Sequence, residues 1–287
     1  MNVYNEEKIM QDNIETFGEG SIIQHGKLNN RIYLMKLDEN DLPDIFQFIN
    51  HLARENEYSK IICKVPSWAC PLFISNGFIS EAYIPDFFKG SVDAFFMSKF
   101  LNSDRILYIE NEKLNEFSRH LVKNNFDYKV SINKDFRINR LSEEHCTEIA
   151  WLYKTVFKSY PFPIYNPDYI KETMEKNVQY FGIHQGKKLI ALSSAEIDMK
   201  AKNAEMTDFA TLPEYRGKNL SVLLLNQMEE TMKNNNLFTL YTIARLNSIA
   251  MNRTFLKMGY NYAGTLIKNT NIAGEIESMN VMYKHIQ

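Results

Sequence analysis

The chain has 287 residues, an apolar content of 45% and a formal net charge of −2. Its length suits two globular domains, and its near-neutral charge excludes attraction to nucleic acid or an anionic membrane by overall field. Three cysteines, an odd number, argue against a disulfide framework. No cationic leader and no bilayer-length apolar run is seen, so we expect a cytoplasmic enzyme or binding protein.

The first 134 residues are predicted to mix strands and helices. Residues 1–20 are mostly polar, and no strand or helix is predicted there. Residues 21–24 and 31–36 are typical of a hairpin, and the apolar spacing from Leu42 to Leu52 predicts a helix. Further elements are predicted as a strand at 61–65, a short helix at 68–76, a strand at 106–109, a helix at 114–122 and a strand at 126–132.

We place a domain boundary near Asp135, which gives domains 1–134 and 135–287. Two prolines in the aromatic run 159–165 prevent a regular helix or central strand there. The second domain alternates helices with mostly antiparallel strands, an α/β (α+β) pattern. Its predicted elements are strand 136–139, a helix capped by Ser142, a helix from Pro167, strands 178–184, 188–197 and 204–211, a helix from Leu220, strand 238–243, helix 248–258, and strands 262–267 and 277–284.

A basic turn at 216–221, Arg-Gly-Lys-Asn-Leu-Ser, joins a strand to a helix. Pro213 ends the strand, because proline cannot donate to a sheet ladder. The first amides of a helix are unpaired and carry partial positive charge, and small residues let a phosphate approach them. Arg216 and Lys218 add full charge. The turn therefore predicts a phosphate site, or more simply a basic turn before an amphipathic helix.

This turn resembles the Arg-x-x-Gly-x-Gly/Ala loop that binds the acetyl-CoA pyrophosphate in the GNAT superfamily of N-acetyltransferases. Arg216 matches, while Asn219 and Ser221 stand where that family usually has glycine or alanine; asparagine tolerates unusual backbone angles. The order of elements over 136–287 is similar to the GNAT fold, a mixed, mostly antiparallel sheet flanked by helices. Asn247 followed by a helix and Gly259-Tyr260 matches a second family pattern.

The resemblance implies acetyl-CoA as co-substrate and no metal. The residues expected to contact acetyl-CoA are Phe209, Ala210, Thr211, Arg216, Gly217, Lys218, Asn219, Leu220, Ser221, Asn247 and Asn252.

The first domain resembles a degenerate copy of the same fold. Residues 73–78 (FISNGF) parallel 255–260 (FLKMGY), and 97–99 (MSK) parallel 282–284 (MYK). The turn at 37–41, before the first long helix, is acidic and would repel a pyrophosphate. We therefore expect that this copy does not bind CoA and serves structure or substrate positioning.

Four runs resemble the β-lysine N6-acetyltransferase family more specifically: 159–164 (SYPFPI), 205–211 (EMTDFAT), 269–274 (NTNIAG) and 277–280 (ESMN). Together with the length and the degenerate first half, they extend the resemblance over nearly the whole chain. It implies synthesis of Nε-acetyl-β-lysine, a compatible solute, from acetyl-CoA and β-lysine, with a lysine 2,3-aminomutase as the partner enzyme in the pathway. Whether the chain forms a homodimer is left open.

Acetylation of an amine requires a base, because an ammonium must lose a proton before it attacks the thioester. Glu205 and Asp208 lie on the strand that, by resemblance, carries the thioester end of the cofactor. They share a face only if that strand is bulged, as it usually is in the superfamily. We assign Glu205 as base and Asp208 as binder of the substrate ammonium; a surface carboxylate is the alternative for each.

The general acid is less clearly indicated. Many family members use a tyrosine whose position is Phe255 here, and phenylalanine cannot donate a proton. Tyr241, Tyr260, Tyr283 and solvent stay open as sources of the proton.

The acceptor pocket needs carboxylates for an ammonium and a donor for a carboxylate. Arg245 or Arg253 could supply the donor by bidentate pairing. The residues predicted to bind substrate are Tyr160, Phe162, Glu196, Asp208, Glu277 and Asn280, with ordinary core or ion-pair roles as the alternative for each.

Two other functions fit the sequence. One is a GNAT acetyltransferase of another acceptor, such as a polyamine, lysine or a protein terminus. The other is a non-catalytic CoA sensor or scaffold, which Asn219, Ser221 and the missing tyrosine favour.

Overall fold

One mixed sheet runs through the described residues of the computed structural model, which are 12–107, 110–121, 135–158 and 160–286. Its thirteen strands are β1 Asn13–Phe17, β2 Ser21–Gly26, β3 Arg31–Lys36, β4 Lys60–Pro66, β5 Ile79–Phe88, β6 Val92–Phe100, β7 Phe136–Arg140, β8 Val178–Gln185, β9 Lys188–Asp198, β10 Asn203–Thr211, β11 Thr239–Arg245, β12 Asn261–Ile272 and β13 Glu275–His285. The spatial order is β1-β2-β3-β4-β6-β5-β12-β13-β11-β10-β9-β8-β7.

Helices flank this sheet in the described residues. They are α1 Asp44–Glu55, α2 Cys70–Ser75, α3 Asp104–Leu107, α4 Asn111–Leu121, α5 Cys146–Val156, α6 Pro167–Lys176, α7 Leu220–Asn234 and α8 Ile249–Lys257. No helix within the described ranges is long and apolar enough to cross a membrane.

The strand order of the first half repeats that of the second. Strand β3 pairs antiparallel with β2 and parallel with β4, and β6 lies antiparallel between β4 and β5. Likewise β10 pairs antiparallel with β9 and parallel with β11, and β13 lies antiparallel between β11 and β12. The order 2-3-4-6-5 thus matches 9-10-11-13-12, as the matching runs at 73–78 and 255–260 indicated. The domain boundary at 134/135 stays a prediction.

The sheet continues from one half to the other through a close approach of β5 and β12. Gly264 pairs with Ala82, and a Cβ on Gly264 would lie 2.1 Å from the carbonyl oxygen of Glu81. The φ of Gly264 is +152°, a conformation that favours glycine. Because only glycine fits here, the backbone of one half can lie against the other and the sheet stays continuous.

An apolar cluster is shared by the two halves beyond this seam. It combines Tyr33, Ile62 and Phe96 of the first half with Tyr241 and Val281 of the second. At the edge of the cluster, the amide of Lys89 donates to the carbonyl of Ala201 at 2.8 Å. One face of the first half therefore packs on one face of the second.

Buried cations of the first half also hold β12. Lys60 pairs with Glu81 at 2.6 Å and donates to the carbonyl of Ile267 at 2.7 Å. Arg105 donates to the carbonyl of Lys268 at 2.8 Å. These bonds satisfy backbone carbonyls at the place where the register of β12 and β13 shifts.

Three strands, β1, β5 and β6, were not predicted, and two predicted strands differ from the structure or lie outside it. Residues 13–17 form β1, an edge strand whose polar sequence lacks the alternation that identifies a half-buried strand. The predicted strand at 106–109 was wrong: residues 104–107 are a short helix, with the Asp104 amide capped by the side chain of Asn102 at 2.8 Å. The predicted strand at 126–132 lies outside the described residues.

Candidate active site

A groove of about 650 Å³ opens between the end of β10, the turn at 216–221 and α8. Gly217 has a φ of +78°, and a Cβ there would meet no atom within 4 Å, so the turn is open toward the groove. Asn219 adopts the left-handed conformation, with φ +57°, and α7 begins at the next residue. Asparagine thus supplies the backbone shape that glycine usually provides, and the first amides of α7 remain available to an anion.

Cations line the groove on the side opposite the turn. Arg253 and Lys257 are four residues apart on α8 and therefore share a face, across from Arg216. The prediction that Arg253 binds the acceptor carboxylate is not supported, since the structure places it in this groove. Three cations and a cradle of free amides fit the phosphates of acetyl-CoA. The i, i+4 spacing of Arg253 and Lys257 was the signal that could have indicated this.

The predicted cofactor residues divide into two sets. Those that line the groove are Phe209, Thr211, Arg216, Gly217, Asn219, Leu220 and Ser221. Ala210 is buried in the core under α5 and α6, and Lys218 stands over the ring of Tyr215 at 4.8 Å. Asn247 lines a separate small cavity of about 240 Å³ beside α4.

Asn252 and Asn280 are corrected from ligand contacts to structural roles. Both are fully buried, and the Asn280 amide donates to the Asn252 side-chain oxygen at 3.0 Å. The Asn252 amide in turn donates to the carbonyls of Arg245 and Ser248, at 2.9 and 3.0 Å. Their side chains therefore fix the turn that ends β11.

Glu277 is likewise engaged within the protein. Its carboxylate accepts two bonds from the Arg245 guanidinium, at 2.6 and 3.0 Å. The predicted donor and the predicted acceptor for substrate thus neutralise each other, and Glu277 is not available to an ammonium.

Strands β10 and β11 separate in the middle of the part of the sheet that the second half forms. They pair only over 203–205 and 239–241. The register between β10 and β9 then shifts between Thr207 and Ala210, and Asp208 has a φ of +55°. This is the bulge on which a shared face of Glu205 and Asp208 depends. Glu205 lies at the last paired position, where the gap between the strands begins.

Glu205 has neighbours directly across both adjacent strands. Glu196 is its partner on β9 and Tyr241 its partner on β11, so all three share a face. The Tyr241 hydroxyl and the Ile243 amide are the nearby donors that favour the ionised Glu205 carboxylate. Burial raises the pKa of Glu205, while nearby Lys64 and these donors oppose the rise. Burial, with the negative charges of Glu205 and Asp208, raises the pKa of Glu196 to about 8.

Asp208 lies among hydroxyl groups. It accepts hydrogen bonds from Tyr160, from Ser194 at 2.6 Å and from Thr207 at 3.2 Å. Burial raises the pKa of Asp208, against the effect of these donors. Tyr160 and Asp208, which were both predicted to bind substrate, are thus in contact, whereas Phe162 packs on the core under α5 and α6.

The first half contributes side chains that sequence reasoning missed. Lys64 on β4 donates to the Tyr241 hydroxyl at 3.0 Å. Tyr33 on β3 is near enough that Glu205 helps to raise its pKa, after burial. A cavity of about 610 Å³ between the halves is lined by Lys64, Glu196 and Tyr241 among others. No motif surrounds Lys64 or Tyr33, so only the fold could reveal them.

The usual tyrosine position holds no hydroxyl. Phe255 is buried, and its ring meets that of Phe209 edge-on at 5.6 Å. Of the three tyrosines left open, Tyr260 is buried near Glu229 and Tyr283 packs on His285 at 5.2 Å. Tyr241 alone of the three contacts Glu205. In the described part of the chain, no group of three or more His, Cys, Asp or Glu residues could hold a metal ion.

Comparison with known proteins agrees with this geometry. The model of the acetyltransferase (GNAT) family matches residues 143–260. A β-lysine N6-acetyltransferase of Methanococcus maripaludis is 40% identical over 264 residues, 92% of this chain and 96% of that protein. The N-acetyltransferase YodP of Bacillus subtilis is 30% identical over 96% of this chain and 100% of that protein. A β-lysine N6-acetyltransferase of Methanosarcina mazei is 28% identical over 80% of this chain and 92% of that protein.

Proposed function

Because the chain belongs to the β-lysine N6-acetyltransferase family of GNAT acetyltransferases, we propose that it transfers the acetyl group of acetyl-CoA to the N6 amine of β-lysine, with Glu205 as base. The observation that carries this assignment is the place of Glu205. It stands where β10 and β11 separate, on the same strand between Asn203, which lines the cavity between the halves, and Phe209, which lines the cationic groove. The product would serve as a compatible solute.

The groove residues hold the co-substrate. Arg216, Arg253 and Lys257 would bind the phosphates together with the amides that open α7. Acetyl-CoA supplies the thioester whose acetyl group is transferred. Phe209 and Thr211, which also line the groove, lie on β10 between Glu205 and the basic turn. They would therefore guide the thioester toward the gap between the strands.

Glu205 makes the amine nucleophilic by accepting its proton. As the amine nitrogen forms a bond to the acetyl carbon, the C–S bond breaks and its electron pair leaves on sulfur. Transfer is direct, with no acyl-enzyme. Since Phe255 stands where a tyrosine acid would be, we propose that solvent in the open groove protonates the thiolate.

The acceptor would reach Glu205 from the cavity between the halves. Glu196 lines that cavity, and Asp208 lies on the same strand as Glu205 and accepts bonds from the hydroxyls of Tyr160, Ser194 and Thr207. Carboxylates and aromatic rings favour an ammonium. These groups would therefore hold the acceptor's cationic amines.

The acceptor is tested by thiol release from acetyl-CoA with β-lysine, α-lysine and spermidine in parallel. Release with β-lysine well above the other two supports the assignment. Release with only another amine keeps the chemistry but contradicts the acceptor. CoA binding without release from any amine would favour a sensor.

Arg216→Ala is expected to raise the KM for acetyl-CoA about 10- to 100-fold, because one charge-assisted hydrogen bond to phosphate contributes about 1.5–3 kcal/mol. The kcat at saturating acetyl-CoA should change little, since Arg216 lies away from the thioester end. Calorimetric binding of CoA measures the effect. Arg137→Ala, an exposed arginine on edge strand β7, is the matched control and should bind CoA normally. Equal affinity for CoA in Arg216→Ala and Arg137→Ala would contradict the assignment of the groove as the acetyl-CoA site.

Activity is expected to rise with pH well beyond the ordinary glutamate range of about 4.3. The pKa values of Glu196 and Glu205 are both raised, that of Glu196 to about 8. Both carboxylates are therefore ionised only at a higher pH than an ordinary glutamate. The acid limb of the kcat/KM profile should therefore extend toward pH 8. Glu196→Gln removes one negative charge and should move the limb to lower pH. An acid limb at the ordinary glutamate pKa in both the unmodified protein and Glu196→Gln would contradict the proposed interaction of Glu196 with Glu205.

A further inference from the structure

The first half reaches the base of the second half through Lys64 and Tyr241. Lys64 Nζ donates to the Tyr241 hydroxyl at 3.0 Å, and Tyr241 lies directly across from Glu205 on the neighbouring strand. The Lys64 side chain is held in place by two rings, with Nζ 5.7 Å from the centre of Phe87 and 5.1 Å from that of Tyr241. A cation on β4 thus has one fixed position behind Glu205.

From this geometry we propose that Lys64 is a positioning residue of the reaction: it orients Glu205 through Tyr241 and keeps that carboxylate ionised. The inference rests on the proposed role of Glu205 as base. It gives the first half, which has an acidic turn in place of a phosphate loop, a direct part in catalysis.

The charge around Glu205 makes such a cation necessary. Groups from several elements face this carboxylate: Lys64 on β4, Tyr33 on β3, Glu196 on β9, Asp208 on β10, and Tyr241 with the Ile243 amide on β11. Two of them are carboxylates, which favour protonation of a third. Lys64 is the main group opposing the effect of burial on the pKa of Glu205.

A cation here also acts on the acceptor. An amine that approaches Glu205 comes near the positive charge of Lys64, and a like charge disfavours the ammonium form. Glu205 and Lys64 therefore both favour deprotonation of the amine: Glu205 accepts the proton, and Lys64 makes the protonated amine less stable at the reacting position.

The test is the pH profile of kcat/KM, which reports ionisations of the free enzyme and the free acceptor. Lys64→Met keeps the length of the side chain over the two rings but removes the charge. Loss of the positive charge near Glu205 should shift the acid limb of the kcat/KM profile upward by about one pH unit or more. Lys64→Arg restores the charge and should return the limb toward that of the unmodified protein. Tyr241→Phe removes the hydroxyl that Lys64 contacts beside Glu205 but keeps the charge of Lys64, so a smaller shift in the same direction is expected.

The matched control is Lys99→Met. Lys99 on β6 also lies 5.7 Å from a ring, that of Phe78, but it donates to Asn50 on the side of α1. Lys99→Met removes one positive charge, as Lys64→Met does, and should leave the acid limb of the kcat/KM profile at the same pH. If Lys64→Met lowers kcat equally at every pH without moving the limb, or matches the control, the proposal is overturned.

The inference and the proposed function can fail separately. Any amine that the protein acetylates can serve as acceptor for the pH profile, whichever one proves to be the natural substrate. Binding of CoA and thermal unfolding show whether each variant is folded. If Lys64→Met does not fold, the shift in Tyr241→Phe decides, and no shift there overturns the proposal.

Discussion

Replacing Glu205 with glutamine is expected to lower the kcat of amine acetylation about 100- to 10,000-fold, the range for loss of a general base. Glutamine has nearly the shape of glutamate and can keep the place of Glu205 opposite Tyr241, but it cannot take a proton from the amine. Binding of CoA should be unchanged, because Glu205 lies at the far end of β10 from the basic turn. Steady-state rates at saturating acetyl-CoA, with calorimetric binding of CoA, measure the two effects.

The control for this prediction is Glu214→Gln. Glu214 is an exposed carboxylate beside the basic turn, paired with Lys188 at 2.9 Å, and surface pairs contribute little. This variant should turn over normally. A Glu205→Gln protein that retains most of its kcat would show that another group, such as Asp208 or Glu196, accepts the proton.

Replacing Glu81 with glutamine is expected to lower the free energy of unfolding by about 3–5 kcal/mol, the usual effect of leaving a buried charge without its partner. Lys60 has no exposed side-chain surface and Glu81 only 4%. Arg31 and Arg105 lie close enough to oppose the charge of Lys60, so Glu81 is the group that compensates it. The Glu81 carboxylate also accepts the Ile267 amide at 2.8 Å, which ties β5 to β12.

Urea unfolding of the single variant and of Lys60→Met/Glu81→Gln measures this effect. The double variant removes both charges and should be more stable than Glu81→Gln alone, because no uncompensated cation remains. A loss below about 1 kcal/mol in the single variant would contradict the view that this pair joins the halves, since that is the scale of an exposed ion pair.

Local patterns in the sequence predicted the parts of the site that are built from neighbouring residues. The turn at 216–221, the conformation of Asn219 and the helix after it follow from spacing and from residue type. The repeat of the fold was visible as two short matching runs. In each case the residues that form the sequence pattern also form the structural element that the pattern predicts.

Partner choice across the fold could not be predicted in the same way. Glu277 and Asn280 have the chemistry of substrate ligands, but Arg245 and Asn252 occupy them in the folded chain. Arg245 and Glu277 come together only because β11 pairs with β13. Lys64 is the opposite case, since it reaches the base from another half through tertiary packing alone.

The continuity of the sheet was also beyond the sequence. The repeated half predicts a second unit of the same kind, but the register that joins them depends on the close contact of Gly264 with β5. A single glycine within a strand pattern does not say which backbone approaches it.

The measurement that tests the central claim most directly is the position of the acetyl group in the product formed from β-lysine and acetyl-CoA by the purified protein. Two-dimensional NMR of the product, alongside titration of the released thiol, gives both the site and the stoichiometry. We predict acetylation of the N6 amine alone, with one thiol released per product. Acetylation at the C3 amine, or thiol release without acetylated β-lysine, would contradict the proposed function.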